Sequence, residues 1–256
     1  MKKCTGSSCC TAASCGSSTA CTCSRSRQSR SGLWLLFGLA GGFLGGMALA
    51  RRMKEQRGPK GLAVWRRELA KTRGEVDASF LAARIHAEYE KLYAARPRFD
   101  HPALVKHLEG NILPGLALYS VLTAAMPEPE AALAEFDRLL EASALAGPMA
   151  LQGRLLKLFP DPFAIFRMVH NAMLPRQFPR EGWDFHWVED SDSAIAYDCR
   201  DCFYLRVLTA YGVPDLTAHF CKIDDVMFSR FPYFAWKRTK TLGRGDDCCD
   251  FRYERN

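Results

Sequence analysis

Residues 234–253, FAWKRTKTLGRGDDCCDFRY, contain a strand, a tight turn and a returning strand. Aromatic residues favour strands, and the Gly-Arg-Gly-Asp-Asp run at residues 243–247 is typical of a turn. Upstream, residues 183–198 predict a second hairpin, and residues 202–211 and 216–228 predict two helices. The C-terminal half therefore has the order β-β-α-α-β-β, which predicts a small antiparallel sheet with helices on one face.

The preceding residues, from 61 to about 174, have the periodicity of helices. Phe80, Ile85 and Leu92 recur near one helix face, with charged residues between them. Residues 116–125 are nearly all apolar and predict a helix at the centre of the core. The predicted fold class is therefore α+β, with a helical N-terminal half packed on the sheet of the C-terminal half.

Positive charge is concentrated at the N-terminus. The formal net charge is +7, but residues 1–60 carry +9 and residues 61–256 carry −2. The net positive charge is therefore no argument for a nucleic-acid partner, and we predict no nucleic-acid partner. Residues 1–31 are rich in Ser and Cys and poor in large apolar side chains, which predicts a disordered tail. Its cysteines fit no zinc motif, and free thiols, lipidation and adventitious metal binding are the alternatives.

Residues 32–52 predict a single transmembrane helix that precedes the α+β fold. The run is uncharged up to Arg51 and Arg52, and Arg30 lies before it. About twenty apolar residues are enough to cross a bilayer core. A cleaved signal peptide, an interfacial segment and a mistranslated extension are the alternatives. The more basic C-terminal flank favours a cytoplasmic location for the large domain.

Glycines at four-residue spacing form a ridge of small residues on the predicted membrane helix, at Gly38, Gly42 and Gly46. Such ridges let two membrane helices approach closely, so we predict a homodimer through this contact. Residues 53–74 then form a linker or juxtamembrane helix, and residues 75–256 form the α+β domain.

Four stretches of the predicted domain carry a family pattern. They are residues 111–119, 198–216, 220–224 and 238–252. The last contains Thr-Leu-x-x-Gly-x-x-x-Cys-Asp-Phe, the most distinctive part. Together they resemble the L-2-amino-thiazoline-4-carboxylic acid hydrolase (ATC hydrolase) family over roughly residues 75–255. The resemblance implies an α+β hydrolase for non-peptide C–N bonds, whose family activity is the opening of a thiazoline ring.

Three cysteines lie at positions that resemble the cysteines of the family: Cys202, Cys221 and Cys249. Cys202 precedes a predicted helix, whose N–H groups lower the pKa of a thiol. Cys221 shares a helix face with Asp224. Cys249 lies on the apolar face of its strand. A small buried hydrophobic side chain is the alternative for each, but we predict that the thiols meet in one cleft.

Ring opening requires a nucleophile, a proton donor and an anchor for the substrate carboxylate. We assign Cys221 as nucleophile or cleft-lining thiol, Asp224 as acid/base and Arg238 as anchor, because guanidinium binds carboxylate bidentately. His219 is a rival base, although its position predicts a different helix face. The predicted catalytic residues are Cys221, Asp224, Cys249 and Cys202, and the predicted substrate-binding residues are Arg238, Thr239, Gly245 and Asp250.

Other chemistries fit the spacing less well. Cys199 and Cys202 have the redox dithiol spacing without its βαβ context, and a zinc site would need the awkward adjacent pair Cys248 and Cys249. The sequence contains no P-loop, GxGxxG, HExxH, GxSxG or EF-hand, so we predict no cofactor or metal. The partner is a small-molecule substrate. A non-catalytic module that binds a small molecule in the same cleft is the alternative function.

Overall fold

The computed structural model describes residues 58–147, 151, 153 and 155–256. The helices are α1 (Leu62–Arg73), α2 (Glu75–Ala94), α3 (Pro102–His107), α4 (Leu113–Ala125), α5 (Pro129–Leu145), α6 (Pro162–Gln177), α7 (Phe203–Ala210) and α8 (Leu216–Phe228). The strands are β1 (Trp183–Asp190), β2 (Ala194–Cys202), β3 (Phe234–Lys237) and β4 (Cys249–Arg255). This order confirms the predicted combination of a helical half with a β-β-α-α-β-β half.

The four strands form one antiparallel sheet in the order β1-β2-β4-β3. The hairpin between β1 and β2 is longer than the sequence predicts, because its pairing continues to Trp183 opposite Cys202. In the centre of the sheet, Cys199 of β2 lies opposite Cys249 of β4. This register places a buried thiol of β4 where helices α7 and α8 can cover it.

A π-helical turn, Leu108–Ile112, joins α3 to α4. Pro114 has no N–H to donate to the hydrogen bonds of an α-helix. In this wider turn, the N–H of Leu113 donates to the carbonyl oxygen of Leu108. The turn presents Asn111 toward α7, where its side chain donates to the hydroxyl of Tyr204. The helical path therefore widens locally between α3 and α4 and does not break.

The main core lies between the helices and the sheet. It is built from fully buried side chains of α1, α2, α4 and α5, and it reaches Cys199 and Cys249 of the sheet. Gly115 of α4 lets α8 approach, because a Cβ there would lie 2.4 Å from the ring of Phe220. Close helix packing at a glycine thus fixes α8 against the core.

The predicted fold class is wrong in one part, the transmembrane helix. Across the described residues, none of the helices has both the length and the apolar character that a membrane span requires. The predicted helix at residues 32–52, its glycine ridge and the tail at residues 1–31 lie outside the described residues.

The third predicted strand is also shorter than expected, since β3 ends at Lys237. Beyond it, the backbone N–H groups of Thr239 and Lys240 donate to the carboxylate of Asp250 at 2.8 and 2.6 Å. A side chain thus replaces the neighbouring strand as the acceptor, and the chain leaves the sheet. A 3₁₀ turn, Leu242–Arg244, follows and leads to β4.

Candidate functional site

The thiols of Cys221 in α8 and Cys249 in β4 lie near enough to each other to shift each other's pKa. The backbone N–H of Leu242 donates to Sγ of Cys249 at 3.2 Å. This N–H comes from the 3₁₀ turn, which packs on the start of α8. At Gly243 a Cβ would lie 2.8 Å from the backbone nitrogen of Ala218, so the turn fits there only with glycine.

The pKa values of the two thiols shift in opposite directions. Hydrogen bonding from Cys221, the Leu242 N–H and the positive charge of Arg238 lower the pKa of Cys249. The same contact with Cys249, together with burial, raises the pKa of Cys221. When this pair loses a proton, the proton therefore leaves Cys249 first, and Cys221 keeps its proton.

Cys202 lies beside this pair at the start of α7. Burial raises the pKa of Cys202 to about 11, while the N–H groups of Leu205 and Tyr204 partly oppose the rise. Negative charge on Cys249 adds to it, which places Cys202 in the same electrostatic environment. The helix start acts in the predicted direction, but desolvation outweighs it.

Arg238 binds the chain's own acids. Its guanidinium donates to Asp224 Oδ2 at 3.1 Å, to Asp225 Oδ2 at 2.8 Å and to the carbonyl oxygen of Cys221 at 2.8 Å. Its side chain is only 1% exposed. Trp236 Nε1 also donates to Asp225 Oδ1 at 2.9 Å, which helps to hold that carboxylate in place. Arg238 therefore connects the loop after β3 to the last turns of α8.

Asp224 lies next to the thiols. Surrounding protein removes water from the carboxyl group and raises the pKa of Asp224 to about 6, against the pull of Arg238. However, 42% of the side chain is exposed, so solvent still reaches one side and limits the shift. Only Oδ2 accepts from Arg238, and Oδ1 has no hydrogen-bond partner within the described part of the chain. We call Cys202, Cys221, Cys249 and Asp224 the thiol centre.

The remaining predicted binding residues shape the turn that carries Leu242. Asp250 accepts from the backbone N–H and the hydroxyl of Thr239, at 2.8 and 2.7 Å. Gly245 has a φ of +88° and ends the 3₁₀ turn, a conformation that favours glycine. These three residues therefore hold the loop around the thiol centre, and their predicted contact with substrate stays a prediction.

His219 does not join the thiol centre. Its Nδ1 lies 2.6 Å from Oδ1 of Asp137 in α5, and Lys222 donates to the other oxygen of the same carboxylate at 2.8 Å. His219 thus ties α8 to α5 on another face of the helix, as its spacing from Cys221 predicts.

A chain of hydrogen bonds behind the thiol centre was not predicted from the sequence. Tyr204 lies 3.0 Å from His107 Nδ1, and His107 Nε2 lies 2.9 Å from the carbonyl oxygen of Gln177. Because a carbonyl only accepts, Nε2 carries the proton and Tyr204 donates to Nδ1. Desolvation lowers the pKa of His107 to about 4, so the ring is neutral. Among the residues of this chain of hydrogen bonds, Asn111 lies in the stretch of residues 111–119 of the family pattern, and it donates to Tyr204.

Two surface hollows lie elsewhere on the described structure. One, of about 220 Å³, is lined by Lys106, His107 and Arg176 among others. The other, of about 390 Å³, lies between α1 and α2. Neither is lined by a residue of the thiol centre. Within the described ranges, no group of three or more His, Cys, Asp or Glu side chains is arranged to hold a metal ion.

The fold and the site together define an α+β domain with a thiol–carboxyl centre between two helices and a four-stranded sheet. A family model described as L-2-amino-thiazoline-4-carboxylic acid hydrolase matches residues 106–253. The chain belongs to this family. The match includes every residue of the thiol centre and all of the sheet except the last two residues of β4.

Two further comparisons add no functional information. No curated protein matches the chain. Among solved structures, the Fe(II) unliganded H-NOX protein from K. algicida is 13% identical, with a TM-score of 0.31, over 77% of this chain and 96% of that chain. A structural likeness at this level supports no inference about either fold or function.

Proposed function

We propose that this chain hydrolyses a C–N bond of a small cyclic amidine or amide, such as a thiazoline. One observation carries the proposal: Cys221 and the N–H of Leu242 lower the pKa of the Cys249 thiol, and this thiol lies beside a carboxyl group of raised pKa. A charged nucleophile next to a proton donor is what ring opening at an sp² carbon requires.

In the first step, the sulfur of Cys249 forms a bond to the amidine carbon. The C–N bond of the ring then breaks, its electron pair goes to the ring nitrogen, and Asp224 donates a proton to that nitrogen. This assignment differs from the sequence-based one, because the pKa of Cys249 is lowered whereas that of Cys221 is raised. Cys221 acts as the thiol that stabilises the anion before attack.

In the second step, water attacks the same carbon and the Asp224 carboxylate takes its proton. The bond between the carbon and the Cys249 sulfur breaks, which restores the thiolate. The net change is the addition of one water to the substrate. Asp224 serves as acid and then as base, and a pKa of about 6 allows both roles near neutral pH.

The proposed site recognises the amidine rather than a carboxylate. Arg238 was the sequence-based anchor, but it is buried and donates to Asp224 and Asp225. An incoming carboxylate would meet these acids before it met the guanidinium, and like charges repel. The free Oδ1 of Asp224 is instead suited to accept from an N–H of an amidine.

The test is turnover by the full chain. It is incubated with L-2-amino-thiazoline-4-carboxylic acid and with 2-amino-2-thiazoline, which lacks the carboxylate, and mass spectrometry follows the gain of one water. A thiol reagent distinguishes C–N cleavage, which leaves the sulfur bonded, from C–S cleavage, which frees it. We expect both rings to open by C–N cleavage.

Cys249→Ser should lower kcat/KM by roughly 10²-fold or more, since a hydroxyl at this position does not ionise. Cys248→Ser is the matched control, because Cys248 is also buried and lies next in sequence but outside the thiol centre. Equal turnover by the two variants would contradict the assignment of the nucleophile.

A second candidate function is non-catalytic binding of a small molecule. Two observations favour it: Cys249 is 4% exposed, and neither surface hollow opens on the thiols. Such a module would bind 2-amino-2-thiazoline in equilibrium dialysis and release it unchanged. Binding without water addition, at every pH from 5 to about 9, would favour this candidate over the hydrolase.

A further inference from the structure

We propose that the hollow between helices α3 and α6 binds a phosphate group, either as inorganic phosphate or as a phosphate monoester. The hollow has a volume of about 220 Å³, and Lys106 of α3 and Arg176 of α6 line it together with His107. Neither Asp nor Glu is among the residues that line it. Two positive charges therefore share a concave surface that contains no carboxylate to balance them.

Acids of the protein do not neutralise these two side chains. Lys106 and Arg176 are both exposed, and neither forms a salt bridge within the described ranges. By contrast, Arg167 of the same helix α6 pairs with Asp190 and Asp192. A cleft lined by charges of one sign concentrates its electrostatic field and attracts ions of the opposite sign. The hollow is therefore suited to an anion.

A third positive charge is connected to the wall of the hollow. Lys60 Nζ donates to Asn111 Oδ1 at 3.2 Å. Asn111 donates in turn to Tyr204, and the hydroxyl of Tyr204 donates to His107 Nδ1. Burial and the charge of nearby Lys106 lower the pKa of Lys60. The ammonium groups of Lys60 and Lys106 thus add to one region of positive potential, which an anion would relieve.

His107 forms part of the wall, but its ring nitrogens are not available to a ligand. Nδ1 accepts from Tyr204 at 3.0 Å, and Nε2 donates to the carbonyl oxygen of Gln177 at 2.9 Å. The ring is also neutral, because burial lowers the pKa of His107 to about 4. The charged contacts with the anion therefore come from Lys106 and Arg176.

The chemistry of these two side chains favours a phosphate group. A guanidinium presents two N–H groups that match two phosphate oxygens, and an ammonium group binds phosphate as a point charge. Two positive charges also balance the charge of a phosphate monoester, which is about −1.5 to −2 near neutral pH. The hollow is smaller than the roughly 300–1,000 Å³ of pockets for drug-sized ligands, so it suits a small ion or the phosphate end of a larger molecule.

Isothermal titration calorimetry of the full chain at low ionic strength tests the proposal. Inorganic phosphate and glycerol 3-phosphate are the two probes. We expect saturable binding of one ligand per chain. Tighter binding of inorganic phosphate would assign the site to the free ion, and tighter binding of glycerol 3-phosphate would assign it to a monoester. The absence of saturable binding of both probes would overturn the proposal.

Variants locate the binding, because residues 1–60 also carry a net positive charge. Lys106→Gln combined with Arg176→Gln should weaken the affinity about tenfold or more, since both charged contacts are lost. Lys91→Gln combined with Arg84→Gln is the matched control, because it removes the same two charges from exposed side chains of α2, outside the hollow.

Circular dichroism checks that both double variants are folded. Equal affinity of the two double variants for the probe would place the binding elsewhere on the chain and would refute the site. Since binding is measured without turnover, that result would leave the proposed hydrolysis unaffected.

Discussion

At the scale of single residues, Cys221 and Cys249 show how identical side chains acquire different chemistry from their surroundings. Cys249 receives a backbone N–H and lies near the positive charge of Arg238, whereas Cys221 provides the hydrogen of the contact. Sequence pattern alone made Cys221 the more attractive nucleophile, because Asp224 shares its helix face. The hydrogen bonds from Cys221 and from the N–H of Leu242 reverse that choice, and neither bond can be read from residue type alone.

Asp224 gives the site its pH dependence. Burial raises the pKa of Asp224 to about 6, so the carboxyl group is protonated below that pH and loses its proton above it. Above pH 6 the protonated fraction falls about tenfold per pH unit, which offsets any gain in Cys249 thiolate. We therefore expect a bend at about pH 6 in a plot of log kcat/KM against pH.

Asp224→Asn should lower kcat/KM by roughly 10²–10⁴-fold and should remove the bend, since an amide neither donates this proton nor titrates. Asp215→Asn is the control, because Asp215 is exposed at the start of α8 and its side chain caps nothing. A bend that persists in Asp224→Asn would assign the pH dependence to another group.

At the scale of elements, the 3₁₀ turn Leu242–Arg244 controls the geometry of the thiol centre. Gly243 is pressed against α8, and a Cβ there would lie 2.8 Å from the nitrogen of Ala218 and 2.9 Å from the carbonyl carbon of Thr217. The contact atoms are backbone and cannot rotate away. The turn must shift if the glycine is replaced, and the N–H of Leu242 must shift with it.

Gly243→Ala should destabilise the fold by about 1–3 kcal/mol, as overpacking of a tight contact does. It should also raise the pKa of Cys249, because the hydrogen bond from Leu242 weakens. Urea unfolding measures the first effect. Gly110→Ala is the control, since a Cβ at Gly110 meets nothing within 4 Å. Equal stability of the two variants would show that the turn does not need its glycine.

Sequence reasoning predicted the elements better than the contacts between them. The β1–β2 hairpin, the two helices after it and the returning strand were expected and are present. The end of β3 at Lys237 was not predicted. It depends on Asp250, which lies ten or more residues downstream and whose side chain accepts hydrogen bonds from Thr239 and Lys240. The hydrophobic periodicity of one segment cannot predict a hydrogen bond between two residues that are separated by a loop.

At the scale of the whole molecule, the thiol centre exists only because distant segments meet. The resemblance to the family predicted that Cys202, Cys221 and Cys249 meet in one cleft. The three thiols shift one another's pKa, but neither surface hollow opens on them, so the shared cleft stays a prediction. The partners of Arg238 could not be predicted, since a guanidinium in a strand pattern is equally suited to bind substrate or its own chain. Its burial under Asp224 and Asp225 is a property of the packed fold.

The central claim is that the folded chain holds one thiolate, at Cys249. The ultraviolet absorbance of thiolate, titrated against pH, tests it most directly. Folded wild type should show a step with a pKa below the ordinary thiol value, and that step should vanish in Cys249→Ser or when urea unfolds the chain. A low-pKa step that survives Cys249→Ser, or its absence in folded wild type, would contradict the account.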